Sequence, residues 1–165
     1  MRELLDEVDE NDQLTGKSIT KQQAHDGRLF HRCSVIYVFT QDNNLYLQVH
    51  KKSGNRLDHS AGGHVKSGET YLQAAQRELH EELGLILPLR KVRTHFLSKE
   101  RQFVHLYGIY RCTVVNNWTF KPNKEVDEMR IVSVRELAKD IDLHPENYTS
   151  GLINTLPELL KSKNA

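Results

Sequence analysis

Three glutamates lie close together in one short segment of the chain, GHVKSGETYLQAAQRELHEELGL, which runs from Gly63 to Leu85. At about 100° per residue, Glu78, Glu81 and Glu82 fall within roughly 100° of one helix face. Carboxylates held this close repel one another unless a cation joins them. Hard oxygen ligands with no nearby cysteine favour Mg²⁺ or Mn²⁺, which keeps waters and shares phosphate oxygens. The segment therefore predicts a Mg²⁺ or Mn²⁺ site suited to phosphate chemistry.

The two ends of this helix are also marked in the sequence. Thr70 and Gln73 form a capping-box pattern, which opens a helix. Gly84 stands where a left-handed residue would close it. The face beside the glutamates is apolar and should be buried: it carries Leu72, Leu79 and Leu83.

A glutamate-rich helix usually has no more than a solvated acidic face, and the three glutamates alone leave that alternative open. The complete segment is much more specific than the three glutamates, because nine fixed or restricted positions at these spacings arise by chance in about one of ten million chains or fewer. The nine positions are Gly63, Glu69, Arg77, Glu78, Leu79, Glu81, Glu82, Gly84 and Leu85. In this order and spacing they resemble, without a gap or substitution, the signature of the Nudix family.

The resemblance implies an enzyme that cleaves a diphosphate linked to another group. Water attacks one phosphorus while metal ions neutralise the charge that spreads over the phosphoryl oxygens. Glu78, Glu81 and Glu82 are implied to be catalytic residues and metal ligands. Glu81, Glu82 or a carboxylate outside the helix would orient or deprotonate the water. The implied substrate is a small-molecule diphosphate, for which a nucleoside diphosphate or its derivative is the first expectation and a non-nucleotide diphosphate the second.

Other signature positions are implied to have structural roles. Gly63 is also assigned to the metal site, since a side chain there would block the approach of the backbone to the metals. Glu69 and Arg77 are expected to pair and to hold the loop against the helix. The residues assigned to the structure of the motif are Gly63, Glu69, Arg77 and Gly84.

Residues outside the signature give weaker indications. Glu125, Asp127 and Glu128 in the EVDE segment resemble an acidic segment found at this point in many members, and they are candidate bases. A charged edge strand would look the same.

Substrate binding is predicted for three basic residues before the signature. Lys51, Lys52 and Arg56 are expected to bind the distal phosphate, although a solvated loop has the same composition. Aromatic side chains in strands are more often core than base-stacking groups. Those for which both alternatives stand are Tyr37, Phe39, Tyr46 and Trp118.

The chain before the signature, with TGKSITKQQAHDGRLFHRCSVIYVF and DHSAGGHV, resembles the isopentenyl-diphosphate isomerase branch of the superfamily and its hydrolase-like relatives. In the isomerases, histidines at the places of His25, His31 and His64 help to bind a metal. A lone histidine is more often a surface or capped residue.

The same comparison disfavours isomerase activity. An isomerase needs a cysteine immediately before the Gly-His pair, where this chain has Gly62, and a Glu-x-Glu in a following strand, where it has Phe103 and His105. We therefore expect a hydrolase. Without the two carboxylates, we expect the histidine site to be weak and vacant, with His25 and His31 packing the N-terminal segment. Isomerase activity and a non-catalytic nucleotide-sensing module are the alternatives.

Length and charge narrow the class of protein. The 165 residues suit one domain, residues 1–165, and the net charge of +1 gives no general attraction to nucleic acid or membrane. No apolar run approaches twenty residues and the N-terminus is acidic, so a cytoplasmic protein is expected. Cys33 and Cys112 are expected to be buried free thiols. Many Nudix proteins are dimers, so the resemblance leaves a homodimer open.

Alternating and β-prone runs, separated by polar turns, predict the elements that position the site. In this order they imply a mixed β-sheet packed between helices, an α/β/α sandwich, which is also the Nudix fold. The predicted strands lie within 4–19 (two), 32–40, 45–50, 91–97, 103–115 and 125–132, and the other helices within 20–25, 134–141 and from 147 or 149 to 161, with 51–58 as a loop.

Overall fold

A computed structural model describes residues 3–50, 53–99, 104–115 and 118–162 of the chain. The described part contains strands and helices in an order close to the expected one. They are β1 (Leu4–Val8), β2 (Leu14–Thr20), α1 (Lys21–Asp26), β3 (His31–Phe39), β4 (Asn44–His50), β5 (Arg56–Asp58), β6 (Ala61–His64), α2 (Tyr71–Leu83), β7 (Arg90–Lys99), β8 (Val104–Thr113), β9 (Met129–Ser133), α3 (Val134–Leu143), a 3₁₀ turn (Pro145–Asn147) and α4 (Ser150–Lys161).

The main sheet is mixed, as predicted. Its strand order is β5-β4-β3-β8-β7, with β6 paired to β3 and β9 paired to β4, while β1 and β2 form a separate two-stranded sheet. β3 and β8 run parallel, in a register that places His31 opposite His105 and Phe39 opposite Thr113. β6 runs antiparallel to β3 and places His64 opposite Cys33. The centre of the sheet therefore brings α1, β3, β6 and β8 together at one end.

Helices cover both faces of the sheet, so the α/β/α sandwich is confirmed. The side chains of β3 alternate: Ile36 and Val38 pack in the cluster under α2, and Tyr37 and Phe39 pack in the cluster under α3 and α4. Tyr37, Phe39 and Tyr46, which were open to two interpretations, are buried core residues.

The helix of the signature has the predicted ends. Thr70 is the N-cap of α2 and forms a capping box with Gln73, and Gly84 closes the helix at φ 66° in the left-handed region. The predicted apolar face is buried at Leu79 and Leu83. It is wrong at Leu72, which is 41% exposed, because the buried side of the first turns runs through Tyr71, Ala74 and Ala75 instead.

Two boundaries differ from the expected ones. The segment predicted as a loop up to residue 58 ends in β5, which pairs with β4 from His50↔Arg56 to Gln48↔Asp58. The strand predicted over 125–132 begins only at Met129, so the EVDE segment is a loop rather than an edge strand. Cys33 and Cys112 are buried and free, as predicted. In the described residues, every helix is too short or too polar to cross a membrane.

Candidate active site

Arg77 joins the loop of the signature to its helix. Its Nε donates to Oε1 of Glu69 at 2.8 Å, and its Nη2 donates to Oε2 of Glu69 at 3.0 Å and to the carbonyl of His64 at 3.0 Å. Glu69 also accepts from the amide of Lys66 at 3.0 Å. The hydrogen bonds from Arg77 lower the pKa of the Glu69 carboxyl despite partial burial. The expected pair is present, and its bidentate geometry fixes both partners.

The other guanidinium nitrogen of Arg77 reaches two helix glutamates. Nη1 donates to Oε1 of Glu78 at 2.6 Å and to Oε2 of Glu81 at 3.1 Å. Glu78 is buried, whereas Glu81 is exposed. Burial raises the pKa of the Glu78 carboxyl even though Arg77 opposes this. One guanidinium therefore faces three carboxylates, which leaves an excess of negative charge at this end of α2.

Glu82 lies on the other side of this cluster. Its Oε2 accepts from Nε2 of Gln48 at 2.6 Å and from the amide of Gly62 at 3.0 Å. Burial raises the pKa of its carboxyl to about 8, helped by the charge of Glu78. Without a cation the carboxyl would therefore carry a proton near neutral pH.

Gly63 lies directly against Glu78. A Cβ on Gly63 would lie 2.3 Å from Oε1 of Glu78, so any side chain there would displace the carboxylate. Gly62 is equally confined, since its Cβ would lie 2.9 Å from the carbonyl oxygen of Ser34 and 3.1 Å from Cγ1 of Val35. The two glycines allow β6 to pass between β3 and the glutamates.

Two adjoining cavities meet at Glu82. An open groove of about 650 Å³ is lined by Glu78 and Glu82 and, from the opposite loop, by Lys124, Glu125 and Asp127. A second cavity of about 280 Å³ is bounded by Glu82, Tyr107, the start of α4 and several histidines. The groove is polar, and it places two of the three candidate bases across from the helix glutamates.

The remaining predicted residues lie elsewhere. Glu128 is exposed, and its Oε1 accepts from Nε of Arg130 at 3.0 Å. Arg56 is exposed, and its Nε donates to the carbonyl of Ser53 at 2.6 Å. Among the described residues that line the two cavities, Arg56 is not present. Lys51 and Lys52 lie outside the described residues, as does Phe103.

The glutamate cluster suits a hard divalent cation. Its donors are carboxylate oxygens, and the contact of Gly63 with Glu78 leaves the backbone of β6 beside them. Burial raises the pKa values of Glu78 and Glu82, and at Glu78 the Arg77 guanidinium only partly offsets this. Oxygen donors of this kind are those that Mg²⁺ or Mn²⁺ prefers.

A second cluster, which sequence reasoning recognised only in part, consists of four histidines. His25, His31, His64 and His105 each place one ring nitrogen within 4.8 Å of the other three. His31 and His105 are buried, and His25 and His64 are half-buried. Three of them were singled out by the resemblance. The fourth, His105, was noted only as a departure from the isomerase pattern, and the parallel pairing of β8 with β3 brings it in.

Three imidazoles of this cluster have lowered pKa values, which favour the neutral form. Burial lowers the pKa of His31 to about 4, against the effect of its hydrogen bond to the backbone. Burial and then the charge of Lys21 lower the pKa of His64 to about 2. The pKa of His25 is lowered by burial and by His105. Neutral imidazole is the form that binds metals.

The wall of the second cavity contains a fixed polar network. Nδ1 of His59 lies 2.8 Å from Oδ1 of Asp58, and its Nε2 lies 2.7 Å from Oγ1 of Thr155. Tyr37 reaches the same hydroxyl at 2.7 Å. Burial alone would raise the pKa of Asp58, but His59 and the hydroxyl of Thr149 hold it at about 2. This network anchors the start of α4 beside Glu82.

Comparisons with known proteins agree with this geometry. Residues 29–151 match the family model described as the NUDIX domain. An isopentenyl-diphosphate Delta-isomerase 2 from Photorhabdus laumondii is 39% identical, over 90% of this chain and 88% of its own. A Nudix hydrolase without an established activity from Listeria monocytogenes is 33% identical, over 80% of each chain. The crystal structure of DR0079 from Deinococcus radiodurans superposes with a TM-score of 0.69 at 23% identity, over 93% of this chain and 96% of that one.

Proposed function

The chain belongs to the NUDIX family, and from this premise we propose that it is a Mg²⁺-dependent hydrolase that cleaves a diphosphate linkage in a small molecule. One observation carries the proposal: Glu78 and Glu82 of the signature helix line a single open groove, with Gly63 against Glu78. All signature glutamates are present, which a non-catalytic sensing module would not need.

In this proposal, Glu78, Glu81 and Glu82 hold Mg²⁺ or Mn²⁺. When bound, the metal neutralises the negative charge that develops on the phosphoryl oxygens. Arg77 orients Glu78 through its 2.6 Å contact and fixes the loop through Glu69. Glu81 is exposed and shares Arg77, so it can turn from the guanidinium to the metal. In this proposal the two buried glutamates are ligands with fixed positions, and Glu81 is a ligand whose side chain can move.

The attacking water needs a base on the open side of the groove. Glu125 and Asp127 line the groove together with Glu78 and Glu82, and they are proposed for this role beside Glu82 and Glu81. The side chains of Glu125 and Asp127 are both solvent-exposed. Lys124, which sequence reasoning missed, lines the same groove and supplies a cation for a substrate phosphate.

The proposed substrate is a nucleoside diphosphate or a derivative of one. The groove of about 650 Å³ beside Glu78 and Glu82 supports a small molecule, since such sites hold about 300–1,000 Å³. Lys51, Lys52 and Arg56 stay predicted phosphate contacts. The buried free thiols support a cytoplasmic location, and homodimerisation also stays a prediction.

Isomerase activity is the second candidate, because relatives such as the one from Photorhabdus carry that name. The surroundings of Gly62 argue against it. A Cβ there would meet a backbone oxygen at 2.9 Å, so the cysteine that an isomerase needs at this position would not fit without a shift of β3. His105 occupies one of the two Glu-x-Glu positions.

A parallel assay separates these functions. The purified protein is incubated with Mg²⁺ or Mn²⁺ and a library of diphosphates, and phosphate release is measured beside isotope exchange into isopentenyl diphosphate. Metal-dependent phosphate release that is lost on chelation and in Glu82→Gln supports the hydrolase. Isotope exchange without phosphate release would replace it with the isomerase, and binding of nucleotides without either reaction would favour the sensing module.

A further inference from the structure

The N-terminal hairpin, formed by β1 and β2, lies before the residues that match the NUDIX model. It nevertheless contacts the signature loop, residues 65–70, directly. Leu5 forms an antiparallel bridge with Lys66, and the amide of Ser67 donates to the carbonyl of Leu4 at 2.8 Å. The signature loop is therefore held by the backbone of β1 as well as by its own helix.

Asp6 adds side-chain contacts to this backbone pairing. Its Oδ1 accepts from Oγ of Ser67 at 2.6 Å, and its Oδ2 accepts from the amide of Gly68 at 3.0 Å. Gly68 has φ 82°, in the left-handed region, so the chain turns sharply immediately before Glu69. One carboxylate therefore binds two successive residues of the turn that leads to Glu69.

Every amide of the signature loop has an acceptor. The amides of Lys66, Glu69 and Thr70 bind within the loop and the capping box, that of Val65 binds β3, and those of Ser67 and Gly68 bind β1. Removing β1 would leave the two central amides to water. Both belong to the positions between Gly63 and Glu69 that the signature leaves free. The hairpin thus holds the part of the loop that the signature residues do not.

Glu69 connects this turn to the proposed metal ligands. Its carboxylate accepts from the amide of Lys66, at the start of the turn, and from the guanidinium of Arg77. Arg77 in turn donates to Glu78 at 2.6 Å. Hydrogen bonds to charged groups are short and directional, so a shift of the turn displaces Glu69 and, through Arg77, Glu78.

The turn of the hairpin holds the start of α2 as well. Asp12 is buried, and its Oδ2 accepts from the hydroxyl of Tyr71, the first residue of α2, at 3.1 Å. Arg32 of β3 fixes that carboxylate, with Nε 2.5 Å from Oδ1 and Nη2 2.7 Å from the carbonyl oxygen of Asp12. The hairpin therefore holds the signature loop through Asp6 and the first turn of the helix through Asp12.

We propose that Asp6 is a positioning residue of the active site, through which the N-terminal hairpin contributes to metal binding. It fixes the turn before Glu69, and through Arg77 that turn fixes Glu78. The inference rests on the proposed function, because it assigns Asp6 to the same metal site. Geometry rather than charge is what the turn requires. An asparagine at this position can accept from the amide through Oδ1 and donate to the hydroxyl through Nδ2, so it should replace Asp6.

Hydrogen exchange in metal-free protein tests the positioning without any catalysis. In Asp6→Ala, the amide of Gly68 and the Nε–H of Arg77 should exchange with water about tenfold faster or more, because the turn opens more often. Asp6→Asn should keep both slow. Glu7→Ala is the matched control and should also keep both slow. Glu7 is likewise a half-buried carboxylate on β1, but its Oε2 accepts from Thr15 of β2, at 2.8 Å, within the hairpin.

A Mg²⁺ titration tests the consequence for the metal site. Asp6→Ala should weaken Mg²⁺ by about tenfold, since partners behind a metal ligand contribute about 10–100-fold. Asp6→Asn and Glu7→Ala should stay within about twofold of the unaltered protein. At saturating Mg²⁺, kcat of Asp6→Ala should return to that of the unaltered protein. A merely structural role of Asp6 would lower Tm and leave the Mg²⁺ affinity of the folded protein unchanged.

Ser67→Ala removes one contact from the other side, at an exposed position, and carries the comparison if Asp6→Ala does not fold. It should change both measurements in the same direction but less, and in the double variant it should add nothing to Asp6→Ala, because both break the same contact. Unchanged exchange at Arg77, unchanged Mg²⁺ affinity in Asp6→Ala, or additive effects would overturn the proposal. If the unaltered protein bound no Mg²⁺, the proposed function would fail, and exchange at Arg77 would still decide whether Asp6 positions it.

Discussion

Replacing Arg77 with alanine would remove the side chain that links loop and helix. Its five hydrogen bonds reach Glu69 twice, Glu78, Glu81 and the carbonyl of His64. The bond to exposed Glu81 contributes little. Glu78 is only 8% exposed, and removing the partner of such a buried charge costs about 3–5 kcal/mol. Taking about 3 kcal/mol, Tm should fall by about 6–12 °C for a chain of this size.

The loss should depend on pH. Glu69 has a lowered pKa in the folded protein, so the stability it contributes is present above its unfolded value of 4.5 and lost as pH falls. Glu78 has a raised pKa, which Arg77 opposes, so without Arg77 the folded state is penalised increasingly as pH rises through the raised value. Both pH 5 and pH 8 lie above 4.5, where the contribution of Glu69 is present, so the Glu78 effect makes the deficit of Arg77→Ala larger at pH 8 than at pH 5.

Thermal melts of metal-free Arg77→Ala and of the unaltered protein at pH 5 and pH 8 measure this pH-dependent loss of stability. Arg130→Ala is the matched control, because Arg130 is 55% exposed and pairs with the exposed Glu128, and it should change the free energy of unfolding by less than about 0.5 kcal/mol. Arg77→Lys keeps the positive charge but cannot form the bidentate hydrogen bonds, so its loss of stability should lie between those of Arg77→Ala and Arg130→Ala. An unchanged Tm in Arg77→Ala together with lost turnover would show that Arg77 contacts the substrate and that the structural argument is wrong.

Four other substitutions test separate parts of the site. Glu81→Gln and Glu82→Gln should each lower kcat by about a hundredfold or more with little change in the Tm of the metal-free protein, because the bound metal accelerates the reaction by neutralising developing charge. Near-normal turnover of both variants at saturating Mg²⁺ would show that these glutamates are not part of the active site. Gly63→Ala should weaken Mg²⁺ about tenfold or more in a metal titration, since its Cβ would lie 2.3 Å from Oε1 of Glu78; an unaltered Mg²⁺ affinity would show that this contact is immaterial. Asp58→Asn should lower the free energy of unfolding by about 2 kcal/mol above pH 4 and by progressively less as pH falls toward 2. The reason is that the pKa of Asp58 is about 2 in the folded protein and 3.8 in the unfolded chain. Thermal melts that show the same loss at pH 7 and pH 2.5 would contradict the lowered pKa of Asp58.

Features that depend on neighbouring residues were predictable from the sequence. The capping box at Thr70 and Gln73 and the left-handed Gly84 are local, so the pattern of side chains is enough to place both ends of α2. The ion pair between Arg77 and Glu69 spans one loop and one helix turn, and the signature places both. The sandwich follows from the order of the strands and helices, because each must bury one apolar face.

Features that depend on distant pairing were not predictable. β5 is a three-residue strand that exists because β4 offers it partners, and its sequence has no strand pattern. Leu72 was expected to be buried from its helical angle, but Tyr71, Ala74 and Ala75 take the buried positions of the first turns. His105 lies 41 residues after His64, and only the parallel register of β3 and β8 brings it opposite His31. Sequence spacing carries no sign of that register.

β6 is the element through which the two clusters meet. Its amide at Gly62 donates to Glu82, the next residue, Gly63, lies against Glu78, and the carbonyl of His64 accepts from Arg77. The imidazole of His64 belongs instead to the histidine cluster. Successive side chains of a strand point to opposite faces, so Gly63 lies on the face opposite His64, and only a residue without a side chain leaves room there for Glu78. Gly62 is confined from the other side, where a Cβ would lie 2.9 Å from the carbonyl oxygen of Ser34, so the isomerase cysteine would not fit there without a shift of β3.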